Sequence, residues 1–418
     1  MYDICLIGSG PSSLFLSHYL LKNTEYKICI ITESFKPFHC TYGIFRKNLE
    51  NTWIFYENDF SKIFPNSYEI EMNCPYNNSD NHISVTDEKY YLLDNIYYFK
   101  KYNKEFQNKI TIIEGLVTSI TKDNENNFIF YKKNSEILNL KSKLVIEGSG
   151  HKKPIGINYI KDYPISYQTF VGHKIITIKP HNIKKAILMD WYDTKINNNI
   201  PPSFCYIIPY SDNILFVEET ILCHNQTKQN YYEILDKRLH KRLNDYNIEY
   251  SEIIFTEKDS ISMNRFIPDM NSISFGIGIN GNIVNAVSGY SVGQNIRNIP
   301  IIVNLIKKHN FNTKNIYKEF WNNSRTFNFM IGLIGQSQLL SYKTNCEYSL
   351  FFKKLITETN KEKKPFEIIF HNIYDDNIKS YLSFSRLCKI FEKKHLLALI
   401  AKFPSILYSF SLYKLKFL

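Results

Sequence analysis

The hydrophobic positions of this chain change period twice. Near the N-terminus they form short continuous runs, Asp3-Ile-Cys-Leu-Ile-Gly8 and Tyr26-Lys-Ile-Cys-Ile-Ile-Thr32, separated by an apolar helix that begins after Pro11. Runs of four or five apolar residues bounded by turn residues are the pattern of strands buried on both faces, so this opening reads as strand, helix, strand. After a polar, turn-rich segment from Asn73 to Asn81, strand patterns resume over Ile110 to Ile120 and Asn127 to Lys132, and they are expected to pair as consecutive antiparallel strands. Another buried strand, Leu144-Val-Ile-Glu-Gly-Ser-Gly150, runs straight into glycines. From Tyr163 to Asn264 strand pattern dominates, with one helical insert near Lys228 to Tyr246. A glycine-rich stretch, Ser274 to Gly293, follows, and from Pro300 the pattern turns helical. The chain therefore divides into a first α/β part over 1–160, a β-rich part over 161–264, a return segment over 265–300 and a helical region over 301–418.

The first turn carries chemistry. Gly8-Ser-Gly-Pro-Ser-Ser13 follows a strand and opens a helix, the arrangement that places a pyrophosphate at a helix N-terminus. Gly8 permits the tight turn, Gly10 lets the backbone approach the phosphates, Pro11 and Ser12 start the helix, and Ser13 takes the third, packing position usually held by Gly or Ala. The second strand ends at Glu33, about 20 residues beyond the turn, where a ribose-binding acid belongs. Gly148 and Gly150 end a later buried strand and allow close approach of a cofactor. Gly278, Gly289 and Tyr290, in a strand, turn and helix sequence, suit the far end of the same dinucleotide. Because the turn lies within ten residues of Met1, a leader peptide is not expected, and the cytoplasm is the expected location.

A second site is written into Ser203-Phe-Cys-Tyr-Ile-Ile-Pro-Tyr-Ser-Asp-Asn-Ile-Leu-Phe-Val-Glu-Glu-Thr220, two β runs around the turn Ser211-Asp-Asn213. Strand side chains alternate, so Glu218 and Glu219 point to opposite faces. Glu218 shares its face with Ile214 and Phe216, and a carboxyl among apolar neighbours has its pKa raised toward the range useful for proton transfer. Both glutamates are candidates for acid/base work, with a structural role favoured for Glu219. Two edge glutamates meeting water are the bland alternative.

Composition narrows the class. With 418 residues and 44% hydrophobic content the chain can bury two cores. Its 8 cysteines form no Cys-x-x-Cys pair, and Cys5, Cys29 and Cys205 fall in buried strands, so reduced thiols are expected, with neither a disulfide framework nor a bound metal. The net charge of +11 is mostly lysine and supports a solvated surface or attraction to an anionic membrane face, whereas no motif supports nucleic-acid binding. Leu396-Leu-Ala-Leu-Ile-Ala401 is interrupted by Lys402 and Pro404, too short to span a bilayer; the helical region reads as a core-packing bundle or as an apolar surface that dips into one leaflet.

Several segments together resemble the flavin-dependent lycopene cyclases of the plant and bacterial β-cyclase type. They are Gly8-Ser-Gly-Pro11, Thr41-Tyr-Gly-Ile44, Tyr167-Gln-Thr169, Met189-Asp-Trp-Tyr-Asp193, Pro202-Ser-Phe-Cys-Tyr-Ile-Ile-Pro209, Phe216-Val-Glu-Glu-Thr220 and Ser288-Gly-Tyr290. They occur in family order over residues 2 to about 300, and Phe351-Phe352 and Tyr381-Leu-Ser383 extend the likeness loosely. The resemblance implies a Rossmann-like FAD-binding domain of the glutathione-reductase or hydroxylase type, an interleaved β-rich substrate domain and a helical C-terminal region. It implies reduced FAD, with NADPH as a possible reductant, and a long hydrophobic polyene as substrate, met through peripheral membrane contact. The implied reaction is an isomerisation that closes the end group of a linear carotenoid into a ring without net redox change, with Glu218 at the family's acid/base position.

The chain departs from the family at three places. An acidic pair commonly follows the Tyr-Gly segment, but here Phe45-Arg-Lys-Asn48 stands, which would reverse the charge near that part of the site. Ala286-Val-Ser-Gly-Tyr290 replaces Pro-x-Thr-Gly-Tyr, and Asn280 and Asn282 replace small residues of the last flavin segment. An FAD-dependent monooxygenase or isoprenoid reductase on the same scaffold, or a flavin-binding protein without catalysis, are the rival readings.

Overall fold

The computed structural model describes residues 1–362 except 51, 76–81, 124, 151–153, 161–164, 197–199, 226–230 and 266. Its first sheet runs in the order Ile110–Glu114, Ile28–Thr32, Tyr2–Ile7, Glu136–Glu147, Asn127–Lys133, Leu116–Lys122, with the short strand Phe275–Gly276 also on Glu136–Glu147. The central pairings are parallel, Ile4 beside Ile28 on one side and beside Leu144 on the other. Parallel strands need cover on both faces, and alternation supplies it. Ile4 and Leu6 pack with the helices Pro11–Asn23 and Asn95–Phe106, while Cys5 and Ile7 pack under Val117, Ile120 and Ile129 of the folded-over hairpin. This is the expected mixed α/β, Rossmann-like architecture.

Ile110 to Ile120 is not one antiparallel strand, however. Ile110–Glu114 pairs in parallel with Ile28–Thr32, the chain bends at Gly115, and only Leu116–Lys122 enters the antiparallel hairpin. The reason is the helix Asn95–Phe106, capped by the Asp94 carboxylate accepting from Tyr97 N–H at 2.8 Å, which returns the chain in a crossover.

The second sheet has eight strands in the order Tyr250–Ser262, Tyr167–Thr177, Ile214–His224, Phe204–Ser211, Ala186–Asp190, Asn66–Asn73, His82–Leu92, Gly43–Phe45. Three of these strands come from residues 43–92, so hydrogen bonding joins part of the 1–160 segment to the β-rich part. Sequence periodicity reports the faces of a strand but not which sheet it enters. One face of this sheet is covered by the helix Tyr232–Asp245, which contributes Leu239 and Leu243 to a core with Ile175, Cys205, Leu215 and Val217. The other face looks toward the first sheet.

The helix Val292–Lys308 runs through position 300, so the helical region begins at the glycine-rich return rather than at Pro300. Among the described residues three further helices follow, Thr313–Phe320, Asn323–Leu339 and Asn345–Glu362. The last docks on the second sheet by stacking Tyr348 on Trp191, with centroids 4.5 Å apart and 11° between planes. Leu396 to Ala401 and Tyr381 to Ser383 lie outside the described residues. Among the described residues no helix is long and apolar enough to cross a membrane.

Candidate active site

Between the two sheets lies a cavity of about 860 Å³. At one end the strand Tyr2–Ile7 delivers the chain to Gly8, whose φ of +92° only glycine adopts freely. A Cβ there would come within 2.7 Å of the Gly148 carbonyl oxygen, so the two glycine turns are in contact. Gly10 is the N-cap of the helix Pro11–Asn23, which has Pro at its first position and no side chain capping its free N–H groups. A Cβ on Gly10 would meet only the Gly148 oxygen, at 3.8 Å, and one on Gly150 would meet nothing within 4 Å; both would project into open cavity. Uncapped donors beside open backbone are an arrangement that can accept an anion at a helix N-terminus. Gly8, Gly10, Pro11, Ser12, Glu33, Gly148, Gly150, Gly278, Gly289 and Tyr290 all line this one cavity. Ser13 does not; its hydroxyl would stand 2.4 Å from a Cβ at Gly148, so it packs helix against strand. Tyr290 ties the return segment to the second sheet, donating to the Gly43 carbonyl at 2.7 Å and accepting from Phe45 N–H at 2.9 Å.

At the other end the strands set out a row of side chains. Ile214–His224 and Phe204–Ser211 form the expected hairpin, in register Tyr206 to Glu218, and on the other side Glu218 lies opposite Gly172. Gly172 in turn lies opposite Glu257 on the neighbouring strand. Tyr206, Glu218, Gly172 and Glu257 therefore cross four strands in one line, and the three side chains face the cavity with Phe216, Phe170 and Tyr90. Glu218 is half-buried because it borders that cavity. Burial, and then the neighbouring Glu257 carboxylate, push its carboxyl well above the usual carboxylate range. Burial also raises Glu257, against the opposing pull of hydrogen bonds from Glu218 and Thr41. Tyr206, Tyr90 and Tyr290 are raised as well, burial first among the causes, and stay neutral.

Glu219 stands on the opposite face and away from the cavity, as alternation requires. Fully buried, it accepts from Arg242 Nε at 2.9 Å and from the Ser203 hydroxyl at 2.6 Å. Arg242 also donates to buried Asp190 at 2.9 Å, and Asp190 accepts from Tyr246 and Asn73, each at 2.7 Å. This network clamps the helix Tyr232–Asp245 to the sheet, so Glu219 is not positioned to exchange a proton with a cavity ligand. The Met189-Asp-Trp-Tyr-Asp193 motif is accounted for in the same way, through Asp190 in the clamp and Trp191 under Tyr348.

One expectation changes. Arg46 pairs with Glu50 on the outside, and neither Arg46 nor Lys47 lines the cavity, so the basic pair does not reverse its charge. The lining contains no Lys or Arg among the described residues and is acidic. Glu257 is hidden in the sequence because it sits in Thr256-Glu-Lys-Asp259, which has the pattern of a solvated strand; its register against Gly172 is what brings it to the cavity. Among the described residues, two groups of side chains come close enough to share an ion, His39 with Cys40 and Asp259, and His173 with Asp236 and His240. Burial pushes the Cys40 thiol up, which opposes a thiolate ligand, and His173 already pairs with Asp236 at 2.8 Å.

A family model described as lycopene cyclase protein matches residues 3–352. The chain belongs to the lycopene cyclase family. Among relatives, lycopene beta cyclase of Synechococcus elongatus is 26% identical over 73% of this chain and 72% of its own length. Neoxanthin synthase of Solanum tuberosum and capsanthin/capsorubin synthase of Citrus sinensis are each 24% identical over 77% of this chain, and the match spans only 64% of either relative. Solved structures show the same fold. A geranylgeranyl bacteriochlorophyll reductase-like protein of Thermoplasma acidophilum superposes with a TM-score of 0.67 at 12% identity, covering 93% of this chain and 99% of that one. The halogenase PltM in complex with phloroglucinol and FAD gives 0.57 at 9% identity, over 99% and 96%. This lycopene cyclase family member therefore shares its fold with a halogenase solved with FAD bound.

Proposed function

We propose that this protein is a flavin-dependent cyclase that closes the end group of a linear carotenoid polyene into a ring. The observation that carries the reading is a carboxyl, Glu218, whose pKa burial and a second carboxylate push well up, at the aromatic end of a cavity whose other end is lined by the glycine turns and an uncapped helix start. A carboxylic acid that keeps its proton at such a site can give it to a trisubstituted terminal double bond, leaving a tertiary cation. The neighbouring alkene attacks that cation, and loss of a proton completes the ring. The faces of Tyr206, Tyr90 and Phe216 suit a passing positive charge. Clearance at Gly10 and Gly150 and the uncapped helix start fit the pyrophosphate of FAD, with Glu33 at its ribose. Reduced flavin, with NADPH as reductant, would supply an anionic ring that stabilises positive charge nearby.

The reading is tested by giving the reduced, FAD-loaded protein lycopene under anaerobic conditions and separating products by chromatography; ring-bearing carotenoid is expected, and unchanged lycopene would oppose it. Gly10→Val is expected to yield colourless protein that takes up no FAD in titration, because the added branches occupy the space of the phosphates. A yellow, fully loaded variant would contradict the cradle assignment. Peripheral membrane contact belongs to the same proposal, since the polyene resides in lipid and exposed Leu116 and Ile155 border the cavity. Sedimentation with anionic liposomes, partly reversed by salt, is the expected result, and recovery in the supernatant with or without liposomes would oppose it.

A further inference from the structure

We infer that Glu218 and Glu257 work as one unit sharing a single proton, with Glu257 the positioning residue that keeps the proton on Glu218 and draws it back after ring closure. The inference rests on the cyclase reading for its chemistry, but its structural basis is separate. Glu218 and Glu257 are on different strands with the strand Tyr167–Thr177 between them, and both face the same residue of it, Gly172. A Cβ at Gly172 would stand 3.2 Å from Glu218 Cβ and 3.2 Å from Glu257 Cγ, and 3.0 Å from the Phe216 ring. A side chain at Gly172 would crowd the space between the two carboxyl groups, which lie near enough for each to act on the other. Two neighbouring carboxyl groups turned into one cavity resist being ionised together, so the pair holds one proton between them.

Hydrogen-bond donors decide where that proton resides. Glu257 Oε2 accepts the Thr41 backbone N–H at 2.7 Å, and the Thr41 side chain also bonds to it. Glu218 receives the Thr220 hydroxyl at 2.9 Å and no backbone donor in the described structure. Donors to an ionised carboxylate favour its charge, so Glu257 is the anion and Glu218 the acid. The other groups facing the pair are Cys40 and Tyr42 on the segment that carries Thr41, Tyr90, Tyr206 and Tyr210 on neighbouring strands, and Asp259 beyond Glu257 with His39 beside it. Burial raises the thiol and the phenols, leaving Asp259 and His39 as the other ionisable neighbours.

The proton balance follows. Glu218 loses its proton to the alkene carbon, a C–C bond forms, and two adjacent carboxylates then face the cyclic cation. Their mutual repulsion is relieved when a C–H bond of the ring breaks and its proton returns to the pair, so the acid is restored without a second reagent.

The test uses the FAD-loaded protein and the variant Glu257→Gln, whose amide can still accept from Thr41. Removing the neighbouring charge lowers the Glu218 pKa, so cyclisation at neutral pH is expected to fall about tenfold or more and to recover as the pH is lowered by about one to two units. Glu218→Gln should not recover at any pH. A Glu257→Gln profile that overlays the unmodified protein, or one lowered equally at every pH, overturns the inference. Infrared titration of the same proteins without substrate gives a reading independent of turnover. A protonated-carboxyl band persisting at neutral pH, absent in Glu218→Gln and titrating at lower pH in Glu257→Gln, is expected. Its absence from the unmodified protein overturns the shared proton, even if ring closure is observed. Its presence without ring closure would retain the pair and reject the cyclase reading.

Discussion

Glu218→Gln is expected to lower cyclisation by a factor of about 100 to 10,000, the usual worth of a positioned general acid and base, with FAD content unchanged. Glutamine preserves the shape and a contact to Thr220, and the residue lies across the cavity from the glycine cradle, so flavin loading has no reason to fail. What is lost is the proton. Alkene protonation is the step that no aromatic face or flavin can replace, which is why the effect is placed on this residue and not on Tyr206 or Tyr90. Glu219→Gln, measured beside it, should change activity much less per folded molecule, because Glu219 faces the helix Tyr232–Asp245 and not the cavity. Equal activity of Glu218→Gln and unmodified protein at equal flavin content would refute the assignment.

Arg242→Met is expected to be the most destabilising single change outside the cavity, costing about 3–5 kcal/mol. Arg242 is 1% exposed and holds two fully buried carboxylates, Glu219 and Asp190, on either side. Methionine fills much of the volume but leaves both negative charges without their partner, and removing one member of a buried ion pair is far worse than replacing the whole set. Chemical denaturation would measure the loss, and a companion triple variant with Glu219→Gln and Asp190→Asn should regain part of it. A midpoint unaltered in Arg242→Met would show that the clamp contributes little.

Much of this arrangement was legible in the sequence wherever the physics is local. Gly8 and Gly10 are fixed by a turn within one βαβ unit, and strand alternation alone sent Glu218 and Glu219 to opposite faces. The Ser211-Asp-Asn213 turn set the hairpin register without any knowledge of the sheet around it. What could not be read was non-local. Glu257 becomes a partner of Glu218 only through two strand registers meeting at Gly172, and its own neighbours Lys258 and Asp259 disguise it as solvent-facing. The membership of residues 43–92 in the second sheet was hidden for the same reason. The basic pair Arg46-Lys47 misled in the opposite direction: sequence adjacency to Tyr42-Gly43 suggested a place in the site, while the short helix Arg46–Leu49 that starts there turns the Arg46 side chain outward to Glu50.

In the proposed reaction, ring closure proceeds by proton addition and proton loss at Glu218, with no hydride or oxygen transferred to the polyene. It is tested most directly by single turnover in D₂O, with reduced FAD-loaded protein in excess over lycopene, oxygen excluded and product mass measured. Each closed ring should gain one deuterium and lose one protium, with no NADPH consumed in proportion to product. Ring product lacking solvent deuterium, or product that has gained oxygen or two hydrogens, would contradict it.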